Sequence, residues 1–235
     1  MLRRPDAGLG RHPGARRVEI DPAEKHSAAP GPAPVGLYDQ GAKACSRLDR
    51  CVVSTDHPEI ATVAKDYGAE VIERPADLAT DQAPTEWALL QVVEVLGREG
   101  YRPDYVVTLE PTSPLRTAGL IDRCIDTAIA HPEVDCVMTV TETRKCYGRL
   151  ENGRFEYLFP NQPRRRQERR PLYEESSTVY VTKTEVLERD RSVLGRTRQG
   201  LVVDDPREAI DINEPLDFIV AEAVLAQRLL EEQHG

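Results

Sequence analysis

The sequence predicts an α/β fold, a mostly parallel sheet covered by helices. Three observations lead there. From residue 51 onward short β-branched runs alternate with amphipathic helical segments of about 10–14 residues, and the runs end in acidic or proline-bearing turns. No apolar run approaches the roughly 20 residues that a bilayer crossing requires.

Residues 1–50 differ from the rest. Prolines at Pro5, Pro13, Pro22, Pro30, Pro32 and Pro34, with hardly any apolar periodicity, predict a loosely ordered arm to about residue 44. Proline lacks the N–H that a sheet ladder needs, so no strand is expected from this arm. From Cys51, C-V-V-S-T is a β-branched run. Ile60, Ala61, Val63 and Ala64 then share one helical face between His57 and Tyr67. A strand at 69–73, a helix at 85–96, a strand at 104–109, a helix at 118–130 and a strand at 135–140 follow. Between Glu142 and Glu175 the rhythm breaks into shorter pieces, and Asn152-Gly153 suits a type I′ hairpin turn, which predicts an inserted β-arm. T-V-Y-V-T (178–182) and G-L-V-V-D (200–204) resume the sheet, and A-I-D-I-N (209–213) reads as a further strand end. A helix from about Glu214 to Glu232, with Phe218, Ile219, Ala221, Ala223, Val224 and Leu225 apolar, is expected to cap the sheet.

The chain of 235 residues suits one α/β domain with an appendage. Its formal charge of -9 opposes general nucleic-acid binding, so any nucleotide is expected in a local pocket; no membrane partner is expected either. Five cysteines, odd in number and without a C-x-x-C pair, favour neither a disulfide framework nor a zinc site. Residues 1–35 lack the apolar segment of a signal peptide, and a cytoplasmic location is expected.

Parallel α/β sheets bind ligands beyond the carboxyl ends of their strands. Four segments at such positions are distinctive: S-T-D (54–56), E-R-P-A-D-L-A-T-D-Q-A-P-T (73–85), E-P-T-S-P-L-R (110–116) and A-I-D-I-N (209–213). In this order and spacing they resemble the CMP-sialic acid synthetases and their relatives acting on other nonulosonic acids, over residues 51–235. The resemblance implies a Rossmann-like nucleotide-diphospho-sugar transferase fold whose inserted arm builds a homodimer. It also implies CTP and an acidic nine-carbon sugar as substrates, with CMP-sugar and pyrophosphate as products. An eight-carbon-sugar cytidylyltransferase is the alternative within enzymes, although its S-G-T-D-R segment is absent.

Residue roles divide between chemistry and scaffold. By the resemblance Arg74 lies beside the cytosine; otherwise it pairs with Asp77 at the surface. Ala83, Pro84 and Thr85 open a helix whose N–H groups suit the base or a phosphate, and Thr85 also suits a helix cap. Thr112 and Ser113 bring hydroxyls to a sugar, while Arg116 either joins them or ties the loop to the next helix. The family usually carries Gln where Glu110 stands; an ionised Glu only accepts hydrogen bonds, which bears on which sugar is taken. Asp211 is the expected catalytic carboxylate and magnesium ligand, with Asn213 as a neutral oxygen ligand or a helix cap. On the arm, Lys145, Arg165, Arg166 and Gln167 are candidates for the sugar carboxylate or pyrophosphate, against the plainer meaning of a solvated charged face.

The family's N-terminal phosphate loop, I-P-A-R-G-G-S-K-x-x-x-x-K-N, is missing before Cys51. Synonymous codons for His12 to Ser27, read one base later, permit Ile-Pro-Ala-Arg-Gly-Gly-Ser-Lys-Ser-Ile-Pro-Arg-Lys-Asn-Ile. Residues to about Ala44 are therefore expected to be a wrong-frame reading of that loop. A chain without the loop is expected to be a catalytically impaired module.

Overall fold

The computed structural model describes residues 16–21, 42, 44–80 and 82–234. A seven-stranded mixed sheet runs in the order β3-β2-β1-β4-β8-β5-β9. Its strands are β1 Arg17–Asp21, β2 Arg50–Thr55, β3 Glu70–Glu73, β4 Tyr105–Thr108, β5 Cys136–Thr143, β8 Leu172–Lys183 and β9 Arg198–Val202. β6 Gly148–Glu151 and β7 Arg154–Tyr157 form a separate hairpin. The helices are α1 Pro58–Asp66, α2 Thr85–Arg98, α3 Ala118–Ala130, α4 Thr184–Asp190 and α5 Pro215–His234. Pairings of β1 with β2 and β4, of β2 with β3 and of β5 with β9 are parallel; β8 runs antiparallel to β4 and β5.

The segment expected to stay out of the sheet supplies an interior strand, between β2 and β4. Val18 pairs with Arg50 of β2 and with Val106 of β4 and is fully buried. R-V-E-I-D is free of proline and carries two β-branched residues, and Pro22 follows directly after it. Residues 1–15 and 22–41 lie outside the described residues.

Alternation along the strands divides two cores. Val18, Val52 and Val106 meet Leu89, Val92, Val93 and Leu96 of α2 on one face, together with Leu187 of α4. On the other face Val107, Leu109, Val137, Val179 and Val181 meet Leu120, Ile121, Cys124 and Ile125 of α3. Adjacent residues such as Val106 and Val107 point to opposite cores, as the period of two requires. Strand order reverses between β1 and β4, which places the crevice of a doubly wound sheet beyond their carboxyl ends.

Two further expectations change. Residues 210–213 are not strand but an irregular segment following a 3-10 turn at Pro206–Ala209. α5 does not lay its whole apolar surface on the sheet. Ala221 is buried, whereas Leu216, Ile219, Val220, Leu229 and Leu230 are exposed. The hairpin turn is as expected: Asn152 and Gly153 have φ of 51° and 77°, the double positive φ of a type I′ turn.

Candidate active site

The strand ends meet at one edge. Arg74 leaves β3 with only 7% of its surface exposed; its Nε donates to Ser54 Oγ at 3.2 Å, and Nη2 donates to the Ser54 carbonyl. Its backbone N–H donates to the carbonyl of Thr55 at 3.1 Å. The guanidinium is thus fixed at the end of β2 by Ser54. Ala83 donates to the Thr80 carbonyl at 3.0 Å, Pro84 precedes the helix, and Thr85 is the first residue of α2, so its hydroxyl is not the cap. Following β3 in the chain, this helix starts at the carboxyl end of the parallel strands.

Beyond β4 the chain turns tightly: Ser113 N–H donates to the Glu110 carbonyl at 3.2 Å. Glu110 is half-buried and Thr112 exposed, while Ser113 is fully buried with its hydroxyl shielded from solvent. Arg116, 5% exposed, donates from Nη1 to the carbonyls of Glu110 (2.9 Å) and Thr178 (3.1 Å). These contacts make it a brace between the loop and β8. The Ile212 N–H donates to the Thr112 carbonyl at 2.8 Å, which sets the A-I-D-I-N segment directly against this loop.

Asp211 is half-buried. Its Oδ2 accepts from Asn213 Nδ2 at 2.7 Å, whereas Oδ1 is shielded and has no hydrogen-bond partner among the described residues. Asn213 does not cap α5 through its side chain; Asp217 Oδ2 accepts from the backbone N–H groups of Asn213 (3.1 Å) and Glu214 (2.9 Å). No cluster of three His, Cys, Asp or Glu able to hold a metal occurs among the described residues. One carboxylate with an uncommitted oxygen fits a magnesium ion held mainly by substrate phosphates and water, rather than one caged by protein.

The arm rises from this edge, because Thr143 at the end of β5 pairs with Leu172 at the start of β8. Its base is knitted by two arginines: Arg144 Nη1 donates to the Arg169 carbonyl (2.6 Å) and Arg169 Nη1 to the Arg144 carbonyl (3.0 Å). Lys145, Arg165 and Gln167 are exposed; Arg165 meets Glu168 at 3.3 Å, and the Gln167 carbonyl accepts from Arg144. At the root of the arm, Tyr180 donates its hydroxyl to Glu175 at 2.5 Å. Burial first, then the Glu175 bond and the nearby Glu110 carboxylate, raise its pKa. Burial also pushes the thiols of Cys45 and Cys124 up to about 12 and that of Cys136 to about 11. All five cysteines are free.

Residues 38–198 match the cytidylyltransferase family. The chain belongs to that family. It is 28% identical over 199 residues to the post-translational flagellin modification protein B of Campylobacter coli, covering 81% of this chain and 83% of that one. Identity is also 28%, over 185 residues, to the CMP-N,N'-diacetyllegionaminic acid synthase of Campylobacter jejuni, covering 76% and 78%. Against a solved CMP:2-keto-3-deoxy-manno-octonic acid synthetase complexed with CTP, the TM-score is 0.63 at 14% identity, over 91% of this chain and all of that one. A 4-diphosphocytidyl-2C-methyl-D-erythritol synthase gives 0.67 at 11%. The fold of this cytidylyltransferase family member is therefore shared with nucleotidyltransferases of very different sequence.

Sequence reasoning missed Glu208 and Arg228, and it placed Ser54 at the strand end without its role as the anchor of Arg74. Glu208 is 8% exposed and accepts from Thr117, and Arg228 Nη1 donates to the Leu115 carbonyl at 2.6 Å. Buried acids and long-range arginine contacts leave no local sequence signal. A groove of about 800 Å³ along α2, lined by Leu78, Trp87, Leu90, Arg102 and Glu188 among others, includes none of the candidate residues. Position at the strand ends, rather than cavity size, identifies the site.

Proposed function

We propose that the chain transfers CMP from CTP to the anomeric hydroxyl of a sialic-acid-like nonulosonic acid, releasing pyrophosphate. The observation that carries this reading is the bond between Ile212 and Thr112, which sets the A-I-D-I-N and P-T-S-P-L-R segments side by side at the edge of a cytidylyltransferase sheet. Relatives named for CMP-N,N'-diacetyllegionaminic acid and N-acylneuraminate support the sugar class.

In this reading Arg74 and the first turn of α2, with Ala83, Pro84 and Thr85, hold the nucleotide. Glu110 and Thr112 face the sugar, and Ser113 and Arg116 shape their loop. Lys145, Arg165 and Gln167 bring the cationic arm to the acidic sugar or pyrophosphate. Holding the sugar hydroxyl in line with the α-phosphorus supplies most of the acceleration. The hydroxyl oxygen bonds to phosphorus, pyrophosphate leaves, and the hydroxyl proton passes to solvent. Asp211 and Asn213 are the residues that would hold magnesium, and a bound magnesium supplies charge neutralisation for the leaving pyrophosphate.

A homodimer through the arm completes the proposal. Leu150, Phe155, Tyr157, Leu158 and Phe159 are all exposed there, an apolar surface that monomers rarely leave open. No helix among the described residues is long and apolar enough to cross a membrane.

The test is incubation with CTP, Mg²⁺ and a panel of N-acetylneuraminic acid, N,N'-diacetyllegionaminic acid and the eight-carbon keto acid. A CMP-sugar from a nine-carbon acid is expected. Product from the eight-carbon acid alone, or none from a chain that binds CTP, overturns the reading.

The wrong-frame origin of the first 44 residues is part of the proposal. The family match begins at residue 38. In the shifted frame, synonymous codons for Arg17–Asp21 permit Gly-Ser-Lys-Ser-Ile of the phosphate loop in place of the present β1. Sequencing the gene decides it: codons that cannot give the shifted motif exclude the slip. With the slip real, the frame-corrected chain binds CTP more tightly by calorimetry and melts higher with CTP and Mg²⁺.

A further inference from the structure

Three contacts converge on residues 111–117 from outside the loop. Ile212 N–H reaches the Thr112 carbonyl, Arg228 of α5 reaches the Leu115 carbonyl, and Glu208 takes the far end. Glu208 Oε1 accepts from the Thr117 N–H at 3.2 Å and from the Thr117 hydroxyl, which in turn accepts from Leu120 N–H at 3.2 Å. A carboxylate that is 8% exposed persists in the interior only when it is hydrogen-bonded, and both of these bonds go to one residue. On its own side Glu208 sits in the 3-10 turn, its N–H donating to the Asp205 carbonyl at 2.9 Å, three residues before Asp211. Arg207 extends the same turn to Glu231 of α5 at 3.4 Å.

We propose that Glu208 is a positioning residue: it pins the start of α3 to the 205–213 segment, so that the sugar-facing loop and the Asp211 carboxylate are held in register by one strap. The proposal rests on the functional reading of those two segments, but the mechanical link stands on geometry alone. Ile212 and Glu208 grip the loop at its two ends, and Asp211 lies between them in the chain. Neither segment can shift without stretching one of these bonds. Arg74, on the nucleotide side, is held by Ser54 on β2.

The experiment is hydrogen exchange on the full chain, comparing the parent with Glu208→Ala and Glu208→Gln. Alanine removes the acceptor, whereas glutamine keeps an oxygen able to accept both bonds. Glu208→Ala is expected to speed exchange by about tenfold or more at both 117–121 and 210–213, with α2 unchanged and with Glu208→Gln near the parent. If alanine prevents folding, Glu208→Asp, shorter by one methylene, is expected to give the same paired loosening. Unchanged exchange at 117–121, loosening there without 210–213, or failure of glutamine to restore protection overturns the proposal. In the transfer assay Glu208→Ala should raise the KM for N-acetylneuraminic acid about tenfold with a smaller change in kcat, and CTP affinity in EDTA should stay unchanged; a KM and CTP affinity that move together overturn it too. A parent that makes no CMP-sugar defeats the functional reading while the exchange result still decides the strap.

Discussion

At the sheet edge Arg74 and Arg116 are 7% and 5% exposed and direct their guanidinium groups at Ser54, Glu110 and Thr178, residues of neighbouring strands and their ends. On the arm Arg165 is exposed and meets Glu168, while Arg144 and Arg169 bond each other's backbone. Residues 144–170 carry nine Lys and Arg against three Glu, in a chain with a net charge of -9. Edge arginines complete a structure within one chain; arm arginines concentrate positive charge where the chain itself offers few counter-charges. The difference teaches that one region satisfies its cations within the chain, whereas the other leaves them facing solvent.

The largest expected effect falls on the rigid side. Arg116→Met removes the donor to the Glu110 carbonyl beyond β4 and the Thr178 carbonyl of β8 and should destabilise the fold by about 3 kcal/mol, read as a lower denaturant midpoint at unchanged m-value. A loss below about 1 kcal/mol would show that the brace is dispensable. Next comes Asp211→Asn in a catalytically competent, frame-corrected chain. Turnover should drop by about a hundredfold or more with folding intact, because the variant removes the carboxylate charge that the proposed function assigns to magnesium. Activity within a few-fold of the parent would exclude Asp211 from the chemistry.

The buried thiols provide a pH test of the same core. In the folded protein Cys124 keeps its proton to about 12, owing mainly to burial, whereas the unfolded chain releases it near 9. The unfolded state therefore binds fewer protons between those values, and stability is lost as pH rises through that window. Each such thiol contributes about 1.4 kcal/mol per pH unit. Cys124→Ala, although less stable at neutral pH, should show a shallower alkaline decline; an identical slope would remove Cys124 as its cause.

How much of this was legible in the sequence depends on where the signal lies. Strands β2, β4 and β5 and helix α3 announce themselves by β-branched runs and apolar period, because their faces are set by local pattern. The interior position of Arg17–Asp21 does not, since a five-residue strand between prolines gains its ladder only from β2 and β4. Nor does the antiparallel direction of β8, which depends on how the arm returns. A-I-D-I-N carries the apolar alternation of a strand, but its Ile212 N–H is committed to Thr112 instead of a ladder. Glu208 in P-R-E-A looks like any surface acid until Thr117 is placed against it.

Ser177 offers a smaller effect with the opposite sign. Its φ is 54°, in the left-handed region, beside the irregular register between Met138 and Val140. A non-glycine residue there costs about 1 kcal/mol. Ser177→Gly should recover much of that in a melt; a lower melting temperature would mean that the Ser177 hydroxyl beside Tyr180 contributes more than the strain it tolerates.

The smallest effect on stability, and the sharpest test of the comparison, is expected for Arg165→Ala. Its partner Glu168 is half exposed and Arg165 itself is exposed by 74%, so the pair is screened and contributes at most about 0.5 kcal/mol. A solvated charged face would leave both the melt and the kinetics unchanged. If the arm serves the reaction, the melt stays within error while the KM for the acidic sugar rises several-fold, and it rises more at low salt, where charge attraction is least screened. The frame-corrected chain with Arg165→Ala, assayed for sugar KM at two ionic strengths, separates these outcomes. An unchanged KM at both would place the arm's charge outside catalysis and leave the arm with its exposed aromatic surface alone.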